Sequence, residues 1–238
     1  MLVLVQLGGT MRYLIVVPAR GGSKGIPMKN IHPLYGKPLI MYTLELIEKL
    51  DYEGDAVVST DMPMIANMVE AIEGIEVIQR PDELATDTSS TESALLHAFD
   101  EMTKKGNKYD AIITLQATSP FRTAETVNDC LRKYEKDSDI CDALLTLSET
   151  RTDYWVKKED GSFGRLNPDA PRRRQDRKPM YVENSALYIT EVGALKETNS
   201  VLGKKVKGVV ISEKEALDIN EPIDIIIAEQ LMKEENFK

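Results

Sequence analysis

Continuous apolar runs, too short for helices and without polar alternation, recur along this chain, each followed by a segment with helical spacing. Tyr13–Pro18 is the first such run. A strand that is apolar at every position is one buried on both faces of a parallel sheet. Behind it Pro38 opens a helical pattern with Ile40, Leu44 and Ile47 on one face. Ala56–Ser59 predicts a second strand, and Ile65–Ile72 a helix after Asp61 and Pro63. Glu76–Gln79 reads as a short third strand, Thr91 to about Lys105 as a helix, and Asp110–Gln116 as another buried strand. A helix over Ala124–Tyr134 and a strand over Asp142–Leu147 continue the series. This alternation specifies an α/β domain on a mostly parallel sheet. Ligands of such sheets bind at the carboxyl ends of the strands, so the loops starting at Arg20, Ser59, Gln79 and Gln116 are expected to converge on one site.

The rhythm breaks between about Glu149 and Pro179, where the chain turns polar and rich in charge, Gly and Pro and holds its only tryptophan, Trp155. Strand pattern resumes at Met180–Ile189 and Lys205–Ile211, and a last helix, Pro222 to about Lys233, carries Ile223, Ile227 and Leu231 on one face. The 238 residues therefore read as one domain with an insertion at 149–179. Residues 1–10 are apolar but lack a basic leader, so they make a poor secretory signal. Met11 is an alternative start, which would make residues 1–10 a non-native upstream extension or the product of a misassigned start. No stretch approaches the ~20 apolar residues of a membrane helix. Cys130 and Cys141 form no CxxC and read as small buried hydrophobes in a reducing compartment, which points to the cytoplasm. His32 and His97 are too isolated for a histidine metal site.

A net charge of −9 argues against a general nucleic-acid binder, yet it conceals a local excess of base. From Arg12 to Leu44 there is no Asp or Glu, while Arg12, Arg20, Lys24, Lys29 and Lys37 are basic. The segment with Gly21, Gly22, Ser23 and Gly25 directly follows a buried strand. It can bend closely around an anion, most plausibly phosphates, the alternative being a solvated basic loop. It is neither a Walker A loop nor a G-x-G-x-x-G fingerprint, which removes a dinucleotide oxidoreductase. A second cluster, Arg172, Arg173, Arg174, Arg177 and Lys178, suits a carboxylate, or equally a solvated linker or subunit contact. In Leu217-Asp218-Ile219-Asn220, the two polar residues alternate around one apolar residue and can offer oxygens to Mg2+ from one side. A helix N-cap before Pro222 accounts equally for Asn220, though not for Asp218.

Several segments carry a resemblance. Pro18-Ala-Arg-Gly-Gly-Ser-Lys-Gly-Ile-Pro-Met-Lys-Asn30, Arg80-Pro-Asp-Glu-Leu-Ala-Thr-Asp-Thr88 and Leu115-Gln-Ala-Thr-Ser-Pro-Phe-Arg122 are similar to the first three signatures of the acylneuraminate cytidylyltransferases, the CMP-sialic acid synthetase family. Arg174-Gln175, Tyr181–Tyr188 and Leu217–Asn220 resemble the later ones, so the likeness runs from Met11 to the end of the chain. It implies a Rossmann-like, mostly parallel sheet of the nucleotide-diphospho-sugar transferase type. The implied reaction couples CTP to a nine-carbon 2-keto sugar acid such as neuraminic, legionaminic or pseudaminic acid, releasing pyrophosphate.

By the same resemblance, Arg20, Ser23, Lys24 and Lys29 hold the triphosphate, while Asn30, Arg80, Ser89 and Thr91 hold the cytidine. Gln116 faces the sugar, Arg174 its carboxylate, and Tyr188 the sugar pocket; Asp218, with Asn220, holds Mg2+. Arg20, Lys29 and Asp218 are the implied catalytic set, and residues 149–179 a dimerisation element. Three departures bear on the acceptor. Asp218-Ile-Asn220 replaces the usual Asp-x-Asp, and Asn184-Ser185 replaces Asn-Gly. Only Lys157 and Lys158 are candidates for the basic sugar residue. The readings to set beside this one are a related transferase using 3-deoxy-manno-octulosonate or another nucleotide, and a nucleotide-sensing module without turnover.

Overall fold

A computed structural model describes residues 11–22 and 25–236. Its centre is β1 (Arg12–Pro18), whose five inner residues are all buried. β1 pairs in parallel with β4 (Glu53–Thr60) on one side and β6 (Ala111–Leu115) on the other. β5 (Ile75–Gln79) adds to β4 in parallel. On the other flank β10 (Met180–Glu191) runs antiparallel to β6 and to β7 (Ala143–Thr150), and β11 (Val206–Val210) closes the edge parallel to β7. The result is a seven-stranded sheet in the order β11-β7-β10-β6-β1-β4-β5, with β10 alone reversed.

Alternate residues of β1 serve opposite faces, as the pleat requires. Tyr13, Ile15 and Val17 pack in one cluster with residues of α1 (Leu39–Ile47), α2 (Pro63–Val69) and α4 (Ala124–Asp137). Leu14 and Val16 pack in the other with α3 (Thr91–Lys104) and Leu195 of α5 (Val192–Thr198). The expected α/β domain with helices on both faces is therefore present. A third, smaller core joins Ile26 and Leu34 to Phe121, Ile219 and to Ala228 and Met232 of α6 (Pro222–Asn236). It ties the turn after the glycine-rich loop, which includes the short hairpin of β2 (Pro33–Leu34) and β3 (Lys37–Pro38), to the far end of the chain.

Three local readings differ. The expected apolar face of α6 is turned outward: Ile223 is 57% and Ile227 43% exposed, whereas Ala228 and Met232 are buried. Four isoleucines within five residues, 223 to 227, make this helix apolar nearly all round, so spacing does not choose a face. Asn220 does not cap α6, since the Asp224 carboxylate reaches back to accept from the Asn220 and Glu221 amides at 2.9 and 2.8 Å. The insertion contains a hairpin of β8 (Trp155–Lys157) and β9 (Phe163–Arg165). Asp153 secures it by pairing with Arg165 at 2.9 Å and Arg177 at 3.4 Å. Arg177 of the basic cluster thus closes the insertion, donating also to the backbone carbonyls of Arg151, Pro171 and Arg172.

Thr123 caps α4, accepting from the Thr126 amide at 3.2 Å and donating to Glu215 at 2.9 Å. Thr123→Ala should cost about 1 kcal/mol and lower Tm by roughly 2–4 °C in a thermal melt. An unchanged Tm would show that the cap contributes nothing.

Candidate active site

The carboxyl ends of β1, β5 and β6, with the amino-terminal half of the reversed β10, enclose a cleft of about 350 Å3. It is lined by Arg20, Gly22, Lys29, Asn30, Arg80, Ser89, Thr91, Gln116, Asp218 and Asn220 from the sequence reading, and also by Pro18, Ser90, Thr118 and Ser185. Ser23 and Lys24 lie outside the described residues.

The glycine-rich loop is anchored at both ends. The Gly21 amide donates to Asp61 Oδ1 at 2.8 Å, and Asn30 Nδ2 donates to the Arg20 carbonyl at 2.9 Å. Gly25 passes so close to the Asn220 carbonyl that a Cβ would overlap it, so only glycine lets the loop approach the opposite wall. That wall is held by Ile219, fully buried in the third core and bonded through its amide to the Thr118 carbonyl at 2.9 Å. Asp218 and Asn220 flank it in the cleft.

Charges meet here at short range. Lys29 Nζ donates to Asn220 Oδ1 at 3.0 Å, and Asn220 Nδ2 donates to Asp218 Oδ2 at 2.6 Å. Asp218 Oδ1 is buried without a hydrogen-bond partner. Burial lowers the Lys29 ammonium below the usual lysine range, with the nearby Asp218 carboxylate opposing the shift. Arg20 donates to the Thr86 carbonyl at 2.7 Å and to Asp87 at 2.9 Å, bridging to the loop that carries Ser89.

Arg80 is 5% exposed; its guanidinium donates to Ser59 Oγ at 3.1 Å and to the Ser59 carbonyl at 2.7 Å. Burial lowers its pKa from the usual value. Ser89 Oγ bonds the Glu83 carbonyl at 3.1 Å, and Ser90 caps α3 by accepting from the Ser93 amide at 3.1 Å.

On the opposite side, β10 loses register with β7 between Glu183 and Tyr188. Asn184 pins this bulge, accepting from Thr146 Oγ1 at 2.7 Å and donating to Ser148 Oγ at 3.1 Å. Ser185 is thereby pushed into the cleft with a left-handed φ of 58°. A glycine would take that conformation without strain. Tyr188 does not line the cleft. It is buried, and its phenol bonds Glu183 and, at 3.2 Å, Ser185 Oγ, so it reaches the site only through Ser185. Arg174 is also elsewhere: it lies exposed on the insertion, beside Arg151 and Gln175, because the β8–β9 hairpin carries the basic cluster off the sheet. Lys157 and Lys158 sit on that hairpin, exposed.

Sequence reasoning left Ser90 and Thr118 unassigned, though Thr118 lies in the third motif and Ser90 has the position of a helix cap. It named Ser59 only as a loop start, and Ser59 serves as the acceptor for Arg80. The tests for metal chemistry are the orphaned Asp218 oxygen and the scarcity of other acids. Among the described residues no group of three or more His, Cys, Asp or Glu could hold an ion. One carboxylate completed by substrate phosphates is a usual Mg2+ arrangement, so Asp218 fits. The Asn220 amide is engaged by Lys29 and Asp218 instead.

A family model described as cytidylyltransferase matches residues 14–207. The chain belongs to the cytidylyltransferase family. It is 29% identical over 229 residues to the CMP-N,N'-diacetyllegionaminic acid synthase of Legionella pneumophila, covering 94% of this chain and 97% of that protein. It is 27% identical over 232 residues to post-translational flagellin modification protein B of Campylobacter coli, covering 94% and 97%. The N-acylneuraminate cytidylyltransferase of Escherichia coli is 26% identical, and there the chain spans only 53% of the relative's length. Among solved structures, a CMP:2-keto-3-deoxy-manno-octonic acid synthetase complexed with CTP superposes at TM-score 0.67 with 19% identity, covering 94% of this chain and 99% of that one. The last likeness is one of fold.

If Lys29 neutralises phosphate, as the resemblance implies, it must be protonated to do so. Because burial lowers its pKa, kcat/KM should fall on the alkaline side at a pH below that of an ordinary lysine, and Lys29→Arg should move the fall upward. Lys29→Ala should lose ~10²–10³ in rate. Turnover within a few-fold of wild type in the alanine variant would remove Lys29 from the machinery.

Proposed function

We propose that this chain transfers the cytidylyl group of CTP to the anomeric C2 hydroxyl of a nine-carbon 2-keto sugar acid, of the neuraminic, legionaminic or pseudaminic type. The observation that carries the reading is the cleft itself. Arg20 and Lys29 of a glycine-rich loop and Asp218 line it in a cytidylyltransferase, together with Gln116 and Ser185. Similarity over nearly the whole length of the Legionella synthase supports the acceptor class.

The nucleotide occupies the β1–β4–β5 half. Arg80 and the Ser89–Thr91 turn hold the cytidine, as does Asn30, while Arg20, Lys29 and the loop amides take the phosphates. The acceptor sits over Gln116 and Ser185. Its C2 oxygen bonds to the α-phosphorus as the bond to the β-phosphate oxygen breaks, and the hydroxyl proton is released with pyrophosphate. Positioning and charge neutralisation dominate such transfers. Lys29 and Arg20 neutralise the departing phosphates, and the bridge through Asn220 holds Lys29 beside Asp218. Asp218 would hold Mg2+, which when bound supplies additional positive charge to the triphosphate.

We further infer a cytoplasmic homodimer. Both cysteines are free and buried, and no helix among the described residues is long and apolar enough to cross a membrane. The insertion exposes Trp155, Phe163 and Leu166, and the adjoining start of β10 exposes Tyr181, to between 51 and 62%, an apolar surface of the kind that subunits cover. Arg174 would serve the acceptor carboxylate from that interface. Phe163→Glu should lower the sedimentation coefficient from dimer to monomer, whereas a monomeric wild type would end the dimer reading.

The deciding assay is pyrophosphate release with Mg2+ and CTP, ATP, GTP or UTP against neuraminic, legionaminic, pseudaminic and octulosonic acids. Release with CTP and one nine-carbon acid is expected. Release only with octulosonic acid would replace the acceptor, and release only with another nucleotide would replace the base. Silence across the panel from folded, nucleotide-binding protein would leave a sensing module.

A further inference from the structure

Behind the acceptor half of the cleft lies a cation without a counter-ion among the described residues. Arg122 ends the third motif and is 5% exposed. Its guanidinium donates to Thr43 Oγ1 of α1 at 3.0 Å, to the Gln116 carbonyl at 3.2 Å and to the Ala186 carbonyl in the β10 bulge. All three acceptors are neutral, and Nε is buried without a partner. Burial lowers the pKa, and no carboxylate opposes it. Leaving a buried charge unpaired is costly, which makes such an arrangement unusual for a purely structural clamp.

Its position gives the charge a use. Gln116 lines the cleft directly, and Ala186 follows Ser185, which also lines it. The guanidinium therefore lies one layer behind both walls of the acceptor half, and it fixes their separation. We infer that Arg122 is a positioning residue whose missing counter-charge is the carboxylate of the acceptor, so that it selects acidic acceptors without touching them. This rests on the reaction proposed above. Charges about 10 Å apart, at the effective dielectric of a protein, attract by roughly an order of magnitude in affinity. The contact proposed above for Arg174 across a subunit interface is a separate contribution.

The test compares kcat/KM for the acceptor acid and for its neutral carboxamide in wild type, Arg122→Gln and Thr43→Asp. The first variant removes the charge. The second keeps Arg122 but supplies a carboxylate within hydrogen-bond distance, cancelling the charge from inside. In both, the acid-to-amide preference should fall roughly tenfold while the amide's own kcat/KM falls much less. Equal losses for acid and amide in whichever variant folds would make Arg122 a structural clamp and overturn the inference. A wild type with no acid preference would overturn it without any variant. Wild-type protein that turns over neither acceptor would instead refute the underlying reaction, and the inference with it.

Discussion

Burial of β1 on both faces is the constraint from which the architecture follows. A strand whose inner residues have no solvent-facing side must be flanked by strands and covered by helices twice over. Tyr13, Ile15 and Val17 commit one face to α1, α2 and α4, and Leu14 and Val16 commit the other to α3 and α5. The loop leaving such a strand has only one direction to go, over the sheet's carboxyl edge. The glycine-rich segment is therefore delivered to the cleft by the core and does not find it by its own chemistry. Ile219 plays the complementary part on the far wall, where a fully buried residue between two polar ones holds both at the cleft.

The fold was legible wherever burial writes directly into composition. β1 is apolar from Tyr13 to Pro18 and β6 is apolar but for the buried Thr114, and α3 and α4 carry both a one-sided stripe and a hydroxyl cap, at Ser90 and Thr123. The reversal of β10 was not legible, because a period of two is identical in either direction. The seven-residue α5 is too short to establish a period. In α6 apolar residues occupy every side, so the buried face is chosen by the third core and not by the sequence.

The site divides in the same way. Motif residues adjacent to strand ends, Arg20, Arg80 and Gln116, fall in the cleft because sheet topology places strand ends together. Tyr188 falls behind it, since the bulge pinned by Asn184 turns Ser185 inward in its place. Arg174 is displaced by the hairpin whose own strands pair only with each other. Arg122 is written in plain view within a motif. Its burial among neutral acceptors, however, depends on α1, β6 and β10 meeting, and no local pattern encodes that.

The β10 bulge also bears on how a protein of this build can change. Everything attributed to the nucleotide hangs on β1, β4 and β5, whose register is continuous, whereas the acceptor side rests, beside Gln116 at the end of β6, on a stretch of β10 that slips register with β7. Residues in a bulge can be exchanged, lengthened or shortened with few ladder hydrogen bonds at stake. Under the proposed reaction, substrate preference is thus modular with respect to nucleotide handling. A lineage could acquire a new sugar by rewriting a few positions around Ser185 while the triphosphate cradle stays as it is.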